Sequence, residues 1–205
     1  MSMTAQDRTR ISAAIRAAEA RTSGEIVCVL AQNSSGATVL PIFIAAAAAL
    51  ALPWLLVAVT NLAVQRILSL QIVVFVVLCV VLCLPAIRVA LMPRAARRAV
   101  AHRVAVEQFN IRGIARTKDR SGILIFVSLA ERYARIIADD GIAARVPQSQ
   151  WQGAVDALIA HMRDGRIADG FVAAIDICAG ELAAHFPRAE AAEDELPNRI
   201  YLIGG

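Results

Sequence analysis

Three aspartates near one predicted strand pair are the residues of this chain best suited to bind a ligand. Asp139 and Asp140 stand just before Gly141 and directly after a predicted strand over 133–138, and Asp119 precedes the strand expected to pair with it. Carboxylate and carbonyl oxygens are the ligands that Ca²⁺ or Mg²⁺ prefers in proteins. The competing interpretation, which the local pattern favours, is ordinary Asp-Gly turn chemistry with exposed acids that need no ligand. The three aspartates are therefore a candidate metal site without the ligand spacing of an EF-hand.

The sequence carries no motif of a known catalytic machinery. It has no nucleophile elbow, Walker loop, dinucleotide-binding glycine pattern or HExxH. The three histidines are widely spaced, and neither Ser23 nor Ser128 has a base near it in the sequence. The four cysteines lack the spacing of a zinc site or a disulfide framework and are typical of small buried residues. An enzyme is therefore the less favoured class.

A cluster of arginines follows the second of two apolar stretches. Positively charged residues are retained on the cytoplasmic side of a membrane, and the segment between the two stretches offers only Arg66. We therefore expect both ends of the chain to be cytoplasmic. We also expect the cluster to contact anionic lipid headgroups at the membrane surface. Nucleic acid is not an expected partner, because few aromatic residues interleave with the arginines. The cluster comprises Arg88, Arg94, Arg97, Arg98 and Arg103.

Two long apolar stretches predict a transmembrane hairpin. From residue 38 to residue 87 the only charged side chain is that of Arg66. Each half exceeds the roughly 20 residues that cross a hydrocarbon core about 30 Å thick. A buried core helix would explain one such stretch, but two in tandem would need a larger soluble core than this chain can build. We predict a two-pass hairpin over 38–92 in a plasma (bacterial inner) membrane, with helices at about 38–64 and 67–90.

The rest of the chain predicts one α/β domain into which the hairpin is inserted. Residues 1–37 and 93–187 form this discontinuous domain, and 188–205 are assigned to a C-terminal tail. The patterns predict a helix and a strand before the hairpin, then a helix, two strands forming a β-hairpin, and two helices. This order gives a small mixed sheet with helices on both faces. The apolar segment 196–203 could pair with a sheet edge or lie on the membrane surface.

Polar residues at capping spacing mark the starts of two predicted helices. Thr4 and Asp7 begin the first helix of the chain. Ser149 and Gln152 have capping-box spacing at the start of the helix predicted over 149–164.

Four segments together resemble the TPM domain. They are TSGEIVCVL (22–30), TKDRSGILIFVSLAERYARIIADDGI (117–142), W-x₃-V-x₂-L (151–158) and DGFVAAI (169–175). The resemblance covers nearly all of the predicted soluble part and the order of its elements. It implies an α/β/α sandwich with a small mixed sheet, interrupted in this chain by the two-helix transmembrane hairpin.

The resemblance also implies several roles. Some members of the family resemble acid phosphatases in activity, some bind Ca²⁺ or other divalent ions through acidic loops, and others assemble or repair membrane complexes. Where the family usually has Arg-Ile-Glu and a glycine-rich turn, residues 135–141 read Arg-Ile-Ile-Ala-Asp-Asp-Gly. Asp139 and Asp140 are therefore the acids that this chain offers at that edge, without the glutamate of the family.

Two functional hypotheses follow. The first is a non-catalytic accessory or assembly factor, whose partners are the lipid bilayer and another membrane protein or complex and whose domain could hold Ca²⁺ or Mg²⁺. The alternative is a metal-dependent, phosphatase-like hydrolase. In that case Asp119, Asp139 and Asp140 would hold an ion that polarises a phosphoryl oxygen.

Overall fold

The structure is a computed structural model with two compact units. One comprises Met1–Ser34 and Ala99–Gly205, and the other comprises Ser35–Arg98. Residues 3–34, 39–60, 62–84, 87, 92–188 and 195–204 are described. In chain order the elements are α1 (Ala5–Glu19), β1 (Glu25–Ala31), α2 (Val39–Val59), α3 (Val64–Cys83), α4 (Arg94–Ile111), β2 (Gly122–Ser128), β3 (Tyr133–Ala138), α5 (Asp140–Ala143), α6 (Gln152–Arg163), α7 (Ile167–His185) and β4 (Ile200–Ile203). Short 3-10 turns at Ile114–Arg116 and Gln148–Trp151 precede β2 and α6.

The first unit is built on a mixed four-stranded sheet in the order β3-β2-β1-β4. The strand β1 runs parallel to β2 and β4, whereas β2 and β3 form an antiparallel hairpin. The predicted mixed sheet and β-hairpin are confirmed. Of the two alternatives for segment 196–203, the structure selects sheet pairing, with Ile200 opposite Cys28. The segment 188–205, predicted to be a tail, thus supplies an edge strand.

Helices cover both faces of this sheet, as predicted. Every residue of β1 and β2 is buried, which explains why both strands are almost continuously apolar instead of alternating. One face packs against α1, α6 and α7. The core between this face and the helices contains the fully buried Trp151 and Phe171. The opposite face packs against α4 through Ala105 and Phe109.

The two predicted helix caps have different outcomes. The N-cap prediction for α1 is confirmed, because Thr4 and Asp7 exchange side-chain and backbone hydrogen bonds in a capping box. The prediction for Ser149 and Gln152 is wrong. The chain enters α6 through a 3-10 turn, so Ser149 lies inside that tighter turn, and the Gln152 side chain donates to Asp156 at 2.8 Å.

The second unit contains α2 and α3, which pack against each other. The stretches Pro41–Val59 and Val64–Cys83 are long and apolar enough to cross a membrane. Few of their residues are buried, and large side chains such as Trp54 are 83% exposed. Arg66, predicted in the connecting segment, lies in the first turn of α3. The helix α2 ends at Val59 instead of about 64, and α3 begins at Val64 instead of about 67. Residues 85–86 and 88–90 of the second predicted helix lie outside the described residues.

Candidate functional site

Asp139 and Asp140 lie where β3 ends and the short helix α5 begins. Asp139 caps this helix, and its Oδ1 accepts the backbone N–H of Asp140 at 2.7 Å. The Arg120 guanidinium reaches both carboxylates, at 3.3 Å from Asp139 Oδ1 and 3.0 Å from Asp140 Oδ2. The Asp139 side chain is 3% exposed and the Asp140 side chain 81%. The two predicted acids therefore form one cluster around an arginine.

The loop that carries Asp119 contacts this cluster through its backbone. A Cβ atom added at Gly141 would lie 2.6 Å from the carbonyl oxygens of both Asp119 and Arg120, so α5 packs tightly against that loop. The Asp119 residue itself is exposed. Among the described residues no three Asp, Glu, His or Cys side chains converge as a metal site would require. Metal binding by Asp119, Asp139 and Asp140 stays a prediction.

Two features decide how well this cluster fits a cation. Asp139 Oδ2 is buried and has no hydrogen-bond partner in the described part of the chain, so it is an available ligand atom. The Arg120 guanidinium, however, already pairs with both carboxylates and offsets one of their two negative charges. A divalent ion would fit only after Arg120 moves away, which its half-exposed, flexible side chain allows.

A second polar cluster, not anticipated from the sequence, lies at the carboxyl ends of β1 and β2. Glu131 is 4% exposed and accepts the backbone N–H of Ser34 with both carboxylate oxygens, at 3.1 and 3.0 Å. The Ser128 hydroxyl donates to Glu131, and the Ser34 hydroxyl donates to Ser128 at 2.8 Å. Arg132, at φ 51°, completes the turn between β2 and β3 that carries Glu131.

This cluster ties the chain that leaves β1 to the β2–β3 turn. Ser34 is the last residue of the first stretch of the α/β unit, immediately before the unit that holds α2 and α3. Glu131 therefore anchors the point where the apolar hairpin leaves the domain. The signal in the sequence was the Ser-x-x-Glu spacing that starts at Ser128, the last residue of a buried strand.

Of the predicted membrane-surface arginines, Arg94, Arg97, Arg98 and Arg103 lie on α4, and Arg88 lies outside the described residues. Arg94, Arg98 and Arg103 are exposed, and Arg97 is half-buried. A helix turns by about 100° per residue, so Arg94, Arg97 and Arg98 lie on one face of α4. Arg103 lies on the opposite face from Arg94. One face of α4 therefore presents at most three of these cations.

The two cysteines of the α/β unit are inert core residues. Cys28 on β1 and Cys178 on α7 are fully buried in the same cluster. Burial raises the pKa of both thiols well above the ordinary value, so the reactive thiolate is suppressed.

Comparison with known proteins identifies the domain. The family model described as the TPM domain matches residues 85–181, from the end of the apolar segment into α7. Residues 85–181 are therefore similar to the TPM domain. The solution structure of the BA42 protein from the psychrophilic bacterium Bizionia argentinensis is similar in fold, with a TM-score of 0.63. It is 22% identical, and the match covers 98% of this chain and 96% of BA42. No curated protein matches the chain in sequence.

The matched residues contain the Asp139 cluster and the Ser128 and Glu131 side chains of the second cluster, whereas Ser34 lies outside them. They include the β2–β3 hairpin, Glu131 at its turn, and Asp139 and Asp140 at its end. The strands β1 and β4 lie outside the matched residues but complete the sheet. The family resemblance and the α/β/α arrangement expected from it are therefore confirmed.

Proposed function

We propose that this chain is a membrane-anchored accessory or assembly factor, whose TPM domain binds a partner membrane protein or complex. The observation that carries the proposal is the pair of apolar helices joined to a folded α/β unit. At about 1.5 Å per residue, helices of 19 and 20 residues reach about 28 and 30 Å, the thickness of a hydrocarbon core.

The exposed side chains of these helices support membrane anchoring. Phe43 is 70% exposed, and Leu50, Val57 and Val64 are each exposed by more than 60%. A contiguous apolar surface of this kind is unfavourable in water and is typical of contact with lipid or another membrane protein. In a lipid bilayer these side chains contact hydrocarbon instead of water, so their exposure is no longer unfavourable.

We further propose that the α/β unit is cytoplasmic and that the exposed arginines of α4 contact anionic headgroups. Basic residues next to an apolar segment favour the cytoplasmic side. The test is impermeant thiol labelling of intact cells, with one cysteine introduced at Leu62 between α2 and α3 and another at Gln150 on the α/β unit. Labelling at position 62 alone is expected. Labelling at position 150 from outside would place the domain on the other side.

The accessory role is tested by purification from mild detergent. We expect a partner to be recovered in a fixed ratio with the wild-type chain. Anionic lipid retained by the detergent-solubilised chain should fall in the double variant Arg94→Glu, Arg98→Glu. It should be unchanged in Arg163→Glu, an exposed change on α6. Recovery of the chain alone, without a stoichiometric partner, would contradict the accessory role.

A second candidate function is divalent-ion binding at the Asp139 cluster, which a phosphatase-like hydrolase would also require. The buried, unpartnered Oδ2 of Asp139 favours it. Ca²⁺ or Mg²⁺ should then raise the melting temperature of the wild type but not of Asp139→Asn, because a ligand that binds only the folded state stabilises it. Asp156→Asn on α6 is the matched control. An unchanged melting temperature of the wild type at millimolar ion would exclude this candidate.

A further inference from the structure

The strand β4 is the end strand of the sheet, next to β1. We propose that the outer edge of β4 binds an acidic, extended segment of a partner protein, which joins the sheet as an additional strand. The inference rests on the accessory role proposed above and specifies the chemistry of the partner.

Backbone geometry defines which groups the edge presents. The carbonyl of Ile203 accepts the N–H of Gln32 at 3.0 Å, so Ile203 directs its backbone groups towards β1. Successive residues of a strand direct theirs to opposite sides, and the N–H and C=O groups of Ile200 and Leu202 therefore point outwards. No hydrogen bond to these four groups is formed within the described segments. Ile200 is 6% exposed and Leu202 is 43% exposed, so the Leu202 groups are the ones that an incoming strand can reach. Unpaired backbone groups at a sheet edge are a template for another strand.

The opposite edge of the sheet is partly obstructed. The Gln148 side chain donates to the outward carbonyl of Ile136 on β3 at 3.0 Å, and α6 packs beside this strand. A side chain in that position competes with any incoming strand for the backbone of β3. The described residues place no such side chain on the outward groups of β4, which makes β4 the less obstructed of the two edges.

The charge beside β4 selects the partner. The guanidinium of Arg112 lies 3.8 Å from the ring centroid of Tyr201, and that of Arg199 lies 4.8 Å from it. Neither arginine forms an ion pair with a described carboxylate, and Arg199 is exposed. Two cations held on one aromatic ring next to an unpaired strand favour acidic side chains on the incoming segment.

The test uses the full chain in mild non-ionic detergent and a short, capped, fluorescent peptide in which valine alternates with glutamate. Binding is followed by fluorescence anisotropy. Two further probes replace glutamate with lysine, or carry N-methyl groups on alternate amides so that the peptide cannot form a ladder. We expect saturable binding of the acidic peptide only.

Three variants separate edge pairing from charge. Leu202→Pro removes an outward N–H that the ladder with β1 does not use, so the parallel pairing is retained while the edge is blocked. We expect this variant to lose binding at an unchanged melting temperature. Arg199→Glu should weaken binding by about tenfold or more. Arg163→Glu, with the same charge change on α6 beside the partly obstructed edge, should leave binding unchanged.

Several results would overturn the proposal. Equal binding of the lysine or N-methylated peptide would exclude an acidic strand. Binding that survives in Leu202→Pro would place the peptide elsewhere. Self-association abolished by Leu202→Pro, without peptide binding, would identify a second copy as the occupant. Recovery of the same stoichiometric partner by wild type and Leu202→Pro would leave the accessory role intact and still overturn the edge site.

Discussion

Replacing Glu131 with alanine removes the acceptor that holds the chain leaving β1 against the β2–β3 turn. Glu131 accepts the Ser34 N–H and the Ser128 hydroxyl in a site that is 4% exposed. Hydrogen bonds to a charged group contribute about 1.5–3 kcal/mol each. The Ser34 bond is assigned about 1.5 kcal/mol because Ser34 is half-buried, and the Ser128 bond about 1.5–3 kcal/mol. Glu131→Ala should therefore reduce the free energy of unfolding by about 3–4.5 kcal/mol. Glu131→Gln keeps one acceptor at the same size and should cost about half as much.

Urea unfolding in detergent measures this loss. The chain has two tryptophans, and Trp151 is fully buried in the core. A Trp54→Phe background therefore makes fluorescence report on the α/β unit alone. Glu107→Ala on α4 is the matched control, since it removes an exposed carboxylate. If the free energies of unfolding of Glu131→Ala and Glu107→Ala differ by less than about 0.5 kcal/mol, the anchoring role assigned to Glu131 is refuted.

Three further predictions concern other parts of the domain. Gly141→Ala should lower the free energy of unfolding by about 1–3 kcal/mol in the same urea assay, because the new Cβ meets two backbone carbonyl oxygens at 2.6 Å. Cys28 and Cys178 should resist a thiol reagent at pH 8 until urea unfolds the domain, because burial raises the pKa of both thiols; mass spectrometry of the labelled peptides measures this. Thr4→Ala should destabilise the domain at neutral pH, and the loss should shrink on acidification. The Thr4 hydroxyl and backbone N–H hold the pKa of Asp7 below its ordinary value near 3.8, so this stabilisation is present above that value and is lost as pH falls through the lowered pKa.

Each of these predictions has a control and a contradicting result. Gly153→Ala on α6 places its Cβ in open space, so an equal cost at both glycines would contradict the close-contact argument. Labelling of Cys28 in the folded chain would contradict its burial. Parallel pH profiles for Thr4→Ala and the wild type, measured as urea midpoints from pH 7 to pH 3, would show that Asp7 is not coupled to the cap.

The central elements of the fold were predictable because their signals are local. Continuous apolar runs marked β1 and β2, and the short connection between β2 and β3 implied an antiparallel hairpin. Thr4 and Asp7 marked a cap for the same reason, since their partners lie one helical turn apart. The four-residue strand β4 could not be placed, because its partner β1 is distant in the chain and nothing in its own pattern selects that edge.

The polar clusters were only partly predictable. The aspartates at the end of β3 were found from their type and position, but the Arg120 guanidinium between them depends on a loop with φ 50° at Arg120. From the sequence Glu131 is indistinguishable from an ordinary turn residue. The Ser34 amide that it binds is 97 positions away in the chain, so no local pattern indicates the contact. Such contacts follow from the tertiary arrangement and leave little trace in local periodicity.

The parallel pairing of β1 with β2 has a consequence for biosynthesis. After β1 leaves the ribosome, about 90 further residues, including both apolar helices, must be made before its neighbour β2 exists. At about 5–20 residues per second, β1 waits roughly 5–18 s for that partner. The strand β4 follows β1 by about 170 residues and pairs later still. The two apolar helices are therefore complete before the sheet can form.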